Sequence, residues 1–113
     1  MSQVWRPINT VYKHSLCIAS APSVPNSNLV IRPTRMSQES NESLRAKYSP
    51  RHQWYYKSFH QPDEVFVFKQ FDKYGNAKVR KCAHTAFVDE EFENAKTRES
   101  IELRVFLFWP DSF

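Results

Sequence analysis

Apolar and polar positions alternate along most of this chain in short runs, and short alternating runs are the mark of strands rather than helices. Residues 4–11 and 16–19 read as two short strands, with Pro7 suggesting an edge or a bulge in the first. The aromatic stretch 54–59 reads as a third strand, and 64–71 is an apolar run of β-formers. Asp72-Lys73-Tyr74-Gly75-Asn76 then makes a hairpin turn into residues 77–82. Residues 84–88 form a strand end, 89–97 an acidic and polar loop, and 101–109 the last strand. Residues 21–50, rich in Ser, Asn and Pro, read as a loosely structured loop region. Within it, 37–48 is expected to hold at most a short helix, capped by Ser37 or Ser40, with Leu44 toward the core. The count fits one antiparallel sheet, or half of a jelly roll, in a single domain over residues 1–113 without internal repeats.

Period-two reading gives the last strand two distinct faces. Arg98, Ser100, Glu102 and Arg104 share one, while Ile101, Leu103, Val105 and Leu107 share the other. On alternation alone, the polar face meets solvent and the apolar face packs on the sheet.

Composition narrows the function classes. Nine Phe, five Tyr and three Trp in 113 residues exclude a disordered chain. Gly75 is the only glycine, so the turns rely on Asn, Asp, Ser and seven prolines. The net charge of +4 is mild and its signs are interspersed, which argues against a nucleic-acid partner. Cys17 and Cys82 lie far apart with no apolar leader before them, so free thiols in a cytoplasmic protein are expected. The run from Arg104 to Trp109 is too short to cross a membrane.

The chemistry concentrates near the C-terminus. His84-Thr85-Ala86-Phe87 is followed by Arg98-Glu99-Ser100 at the head of the last strand. A histidine, a loop and then Arg-x-Ser matches the end of the catalytic core in iron(II)/2-oxoglutarate oxygenases. Imidazole suits iron, and a facial triad of two His and one carboxylate leaves positions open for a chelating co-substrate. A guanidinium grips a carboxylate through two parallel hydrogen bonds, which lysine cannot reproduce. Other candidates have plainer readings. Cys82 with His84 supplies only two of the four ligands a structural zinc needs. Lys69 reads as a side chain at a strand edge and Asp72 as the opener of a turn. Tyr55 and Tyr56 read as strand tyrosines, and His60 as a loop residue. Nothing resembles a hydrolase triad, a phosphate loop or a paired-carboxylate site.

The segments beginning at Val4 (VWRPI), Ser23 (SVPNSNLV), Trp54 (WYYKSFHQPDEVFVFKQFD), His84 (HTAFVD) and Arg98 (RESIELRVFLFWPD) stand in this order. As an ordered set they closely resemble the C-terminal part of the fungal AsaB-type hydroxylase/desaturase family, which includes gibberellin desaturase-like and cephem methoxylase-like proteins. The resemblance spans nearly the whole chain and is weakest between Pro33 and Pro50. It implies an all-β fold, an antiparallel sheet forming part of a double-stranded β-helix (jelly roll). It also implies an oxidoreductase of secondary-metabolite biosynthesis that uses Fe(II) and 2-oxoglutarate on a small-molecule substrate. On these terms His84 is the last iron ligand, and Arg98 with Ser100 holds the far carboxylate of 2-oxoglutarate. No further catalytic residue is implied. Full-length members carry a His-x-Asp-like pair upstream of the VWRPI segment. Here His14, His52 and His60 each lack an acid two residues on. The chain is therefore expected to be the second half of an oxygenase core, binding iron weakly by itself, with an apolar sheet face open to self-association. The alternative is a catalytically silent fragment or paralogue acting as a binding or scaffold protein.

Overall fold

A computed structural model describes residues 1–36, 39–72 and 81–108. Eight strands are described: β1 (Ser2–Pro7), β2 (Leu16–Ala19), β3 (Leu29–Met36), β4 (Glu39–Ala46), β5 (Trp54–Tyr56), β6 (Phe66–Lys69), β7 (His84–Ala86) and β8 (Ser100–Val105). They form two three-stranded antiparallel sheets, ordered β6-β1-β8 and β5-β2-β7, and a separate β3-β4 hairpin. The expected all-β, jelly-roll class is the observed one. In each large sheet an early strand is central and two later strands flank it. The β2–β5 pair nests inside the β1–β6 pair, as consecutive strands do in a jelly roll.

Pairing fixes which side chains face inward, because directly opposed residues share a face. Trp5 stands between Phe66 and Glu102, Gln3 between Phe68 and Arg104, and Pro7 opposite Ser100. Trp5 and Phe68 are buried and pack with Val11 and with Leu16 of β2. The face carrying Gln3, Trp5, Phe68, Ser100, Glu102 and Arg104 is therefore the inner one. The alternation-only reading of β8 is overturned in its apolar half: the polar side, still exposed, shares the inner face with Trp5. Its apolar side looks out, with Ile101 at 50% and Leu103 at 62% exposure beside Val67 at 67%. Pro7 marks neither an edge strand nor a bulge. It is the last residue of a central strand, where little ladder remains to interrupt.

The 21–50 region is more ordered than its composition suggests. Residues 29–36 and 39–46 pair in register from Leu29↔Ala46 to Met36↔Glu39. The helix expected over 37–48 is thus replaced by β4, with residues 37 and 38 outside the described residues. Local helix propensity is a weak term, and a partner strand starting with Leu29, Val30 and Ile31 outweighs it. Pro33 is tolerated because both strands of a two-stranded hairpin are edges. The turn expected at 72–76 and the strand at 77–82 fall largely on residues 73–80, outside the described residues. The first and last strands are shorter than expected, ending at Pro7 and Val105.

His60 is a core residue rather than an open loop residue. Its ring lies edge-on to Trp5 at 5.4 Å and to Phe66 at 4.5 Å. Its Nε2 donates to the Glu64 carbonyl at 2.7 Å, and its own carbonyl accepts from Val11 N at 3.0 Å. The 59–64 turn is thereby bolted to the first sheet. Trp5→Ala should cost about 3–5 kcal/mol, the usual range for emptying a large aromatic site. Chemical denaturation followed by circular dichroism checks this, with Trp5→Phe expected to lose less.

Candidate active-site face

His84 opens β7 opposite Ile18 of β2, whose other neighbour is Tyr55 of β5. The three therefore share one face of the second sheet. The His84 ring meets Phe68 of the first sheet at 4.7 Å, so that face looks into the space between the sheets. His84 Nδ1 lies 3.1 Å from the Cys82 carbonyl. A carbonyl only accepts, so Nδ1 carries the proton and the neutral ring keeps its lone pair on Nε2. Fixing the tautomer through the second ring nitrogen is how metal-ligating histidines are usually prepared. The side chain is exposed, so that lone pair is accessible.

Arg98 reaches the same region from the other sheet. Its guanidinium carbon sits 5.3 Å above the Trp5 ring, and Nη1 donates to the His14 carbonyl at 2.9 Å. His14 adopts φ 55°, the left-handed region that costs a non-glycine residue about 1 kcal/mol or more. That turn aims its carbonyl at Arg98. Burial lowers the guanidinium from its ordinary pKa, while Glu102 raises it. Ser100 follows on β8, opposite Pro7 and on the inner face. His84 thus stands against Phe68 on the inner side of one sheet, while Arg98 lies over Trp5 and Ser100 faces inward on the other.

Other candidates separate. Tyr55 shares the His84 face, but Tyr56 points the other way and packs on Phe87 at 4.8 Å. Lys69 and Asp72 form an ion pair at 2.8 Å. The Cys82 thiol is directed at the Ala19 carbonyl and the Cys17 thiol at the Thr85 carbonyl, and both cysteines are free. A polar row that sequence reading passed over runs across the inner face: Gln70 donates to Gln3, and Gln3 to Glu102. Arg104 was noted only as a member of the polar face. Here it lines an open cavity of about 960 Å³ together with His84, Gln70 and Trp54.

The donor set can be tested against iron. Among the described residues no three His, Cys, Asp or Glu side chains converge. His84 fits a ligand position, but a single imidazole does not hold iron(II) against water, and two further donors are required.

The sheet order and this face define a jelly-roll domain of the iron(II)/2-oxoglutarate oxygenase type. Residues 1–108 match the oxidoreductase/YMDC permease-like domain (YDMC), and the chain belongs to that family. It is 34% identical over 118 residues to the hydroxylase/desaturase efuI of Hormonema carpetanum, covering 95% of this chain and 40% of that protein. To the hydroxylase/desaturase asaB of Aspergillus flavus it is 32% identical over 123 residues, covering 96% of this chain and 54% of that one. The fold is similar to a solved iron and alpha-ketoglutarate-dependent endoperoxidase, the NvfI W199F variant. That match has a TM-score of 0.80 and 25% identity, over 89% of this chain and 37% of the other. The chain thus spans between about two fifths and a little over half of these proteins' lengths. The resemblance to fungal hydroxylase/desaturases is borne out.

Both thiols should be sluggish nucleophiles. Burial raises the pKa of Cys17 and of Cys82 above the ordinary thiol value, outweighing the backbone hydrogen bonds that lower them. At pH 7.5 the thiolate fraction is therefore below that of free cysteine. Alkylation by iodoacetamide, followed by mass spectrometry, should be slow at pH 7.5 and accelerate as pH rises beyond 9. Rapid labelling of Cys17 at neutral pH would contradict its burial.

Proposed function

We propose that this chain forms one side of the active site of an iron(II)/2-oxoglutarate-dependent oxygenase that hydroxylates or desaturates a fungal secondary metabolite. The observation that carries this reading is the pair of facing contacts, the His84 ring against Phe68 of the first sheet and the Arg98 guanidinium over the Trp5 ring. In this reading His84 ligates the metal. Arg98, steered by Trp5 and the His14 carbonyl, grips the far carboxylate of 2-oxoglutarate, and the Ser100 hydroxyl completes that grip. When bound, iron with 2-oxoglutarate supplies the oxidising chemistry; the protein orients the reactants and excludes water. The names of the relatives support the reaction class.

A location in the cytoplasm accompanies this proposal, supported by the free thiols. No helix among the described residues is long and apolar enough to cross a membrane. That no three metal-donor side chains converge among the described residues supports a second reading, a catalytically silent binding protein that pairs through its exposed apolar sheet face.

One experiment separates the two. The 113-residue chain should bind iron(II) weakly and form no succinate from 2-oxoglutarate. A longer form spanning the length of the relatives should do both. In that form His84→Ala should abolish iron binding. Arg98→Gln should raise the 2-oxoglutarate concentration needed by about tenfold or more, since a charged hydrogen-bonded pair is worth about 1.5–3 kcal/mol, and leave iron binding intact. Iron binding unaffected by His84→Ala would sink the assignment. Silence of the longer form, together with concentration-dependent association of the short one, would favour the binding protein.

A further inference from the structure

The 960 Å³ cavity that receives His84 is lined, among the described residues, by four cationic side chains, Arg45, Lys47, Lys81 and Arg104, and by no aspartate or glutamate. None of the four forms an ion pair with a described residue. The nearest carboxylate on the Arg104 strand is Glu102, which accepts from Gln3 and bears on Arg98. Such an imbalance is not a property of the whole chain, whose 16 bases face 12 acids. The remaining wall is largely apolar, with Val24, Leu29, Leu44 and Trp54 among its members. A cavity with apolar walls and a few convergent charges of one sign is built for an amphiphilic ligand of the opposite sign.

We infer that this cavity takes an apolar molecule bearing a carboxylate, held by Arg104 and Lys81 with its body against Trp54 and Leu44. Calling that molecule the substrate rests on the oxygenase reading; the binding preference itself does not. Arg104 and His84 line the same cavity, so the carboxylate end lies on the His84 side and the apolar body extends toward the β3–β4 hairpin. Arg104 is thus a specificity residue, distinct from the Arg98 grip, which is stacked on Trp5 and partly buried.

A carboxylate could also come from 2-oxoglutarate, and the test distinguishes the two. The metal-free 113-residue chain is titrated calorimetrically with 1-naphthaleneacetic acid and, separately, with the neutral 1-naphthaleneacetamide. The acid should bind about tenfold tighter at low salt, and the gap should narrow at 0.5 M salt, where exposed charges are screened. Arg104→Gln combined with Lys81→Gln should cut the preference to about twofold while leaving amide binding unchanged. If the double variant fails to fold by circular dichroism, Lys81→Gln alone should reduce the preference part-way. Equal binding of acid and amide, or a preference indifferent to these substitutions, overturns the proposal. Displacement of the acid by an equal concentration of 2-oxoglutarate also overturns it, by giving the cavity to the co-substrate. No step uses iron or turnover, so failure of the oxygenase reading leaves this result standing, and the reverse holds as well.

Discussion

The register of β1 against β8 is the constraint from which the rest follows, because it decides which side of β8 joins the inward-facing Trp5 ring. With Trp5 opposite Glu102, the inner side receives Phe66 and Phe68 from one neighbour and the polar side of β8 from the other. A slip of one residue would put Ile101 and Leu103 on the Trp5 side in place of Ser100, Glu102 and Arg104. Held as it is, the ring offers its edge region to His60, a neighbour to Phe66 and a face to the Arg98 guanidinium. A cation over an aromatic face contributes about 0.5–2 kcal/mol, depending on how dry the site is. Its larger effect here is geometric, because a stacked guanidinium with Nη1 tied to the His14 carbonyl has little freedom left.

Turning the polar side of β8 inward would be costly if its groups lacked partners. They have them. Gln70, Gln3 and Glu102 form a chain of hydrogen bonds across the first sheet, and Gln3 is 3% exposed. Among the described residues, no buried side-chain nitrogen or oxygen is left without a partner. A satisfied network of this kind stiffens the wall it lines, whereas a broken one is worse than an apolar wall. The second sheet makes the matching contribution with less: one carbonyl, that of Cys82, fixes the His84 tautomer. The two sheets thus set an imidazole against Phe68 and a guanidinium against Trp5.

Much of this was legible in the chain. Alternation revealed the six strands of the large sheets, because each is a short run of β-formers bounded by turn residues. The His84 and Arg98 spacing, read with the family resemblance, singled out two residues that the fold sets against Phe68 and Trp5 of the first sheet. Alternation could not tell which face of β8 is inner, since a polar-in strand and a polar-out strand have the same pattern. Only the pairing with Trp5 breaks that symmetry. The β3–β4 hairpin was missed for a related reason: residues 39–46 look helical locally, and the strand they adopt exists only through pairing with 29–36. The left-handed turn at His14 had no signal at all, because histidine is an ordinary residue whose carbonyl matters only once Arg98 arrives from 84 residues away.

The positions of the key residues also say where further chemistry must enter. Jelly rolls of this kind have eight strands in two sheets, and the large sheets here hold three strands each. His84 lies on β7, and Arg98 with Ser100 leads into β8; among the described residues both strands are paired on one side only. Open edges present unpaired backbone groups and invite strand addition. Strands added antiparallel at β7 and β8 would place their side chains in alternation beside His84 and beside the Ser100 face. Those are the positions from which additional metal ligands can reach the free Nε2 side of the imidazole. They are also the positions from which the exposed outer face of Ile101 and Leu103 can be extended and covered. On the proposed oxygenase reading, the same two edges govern both completion of a metal site and burial of the apolar surface, so metal affinity and conformational stability should rise together.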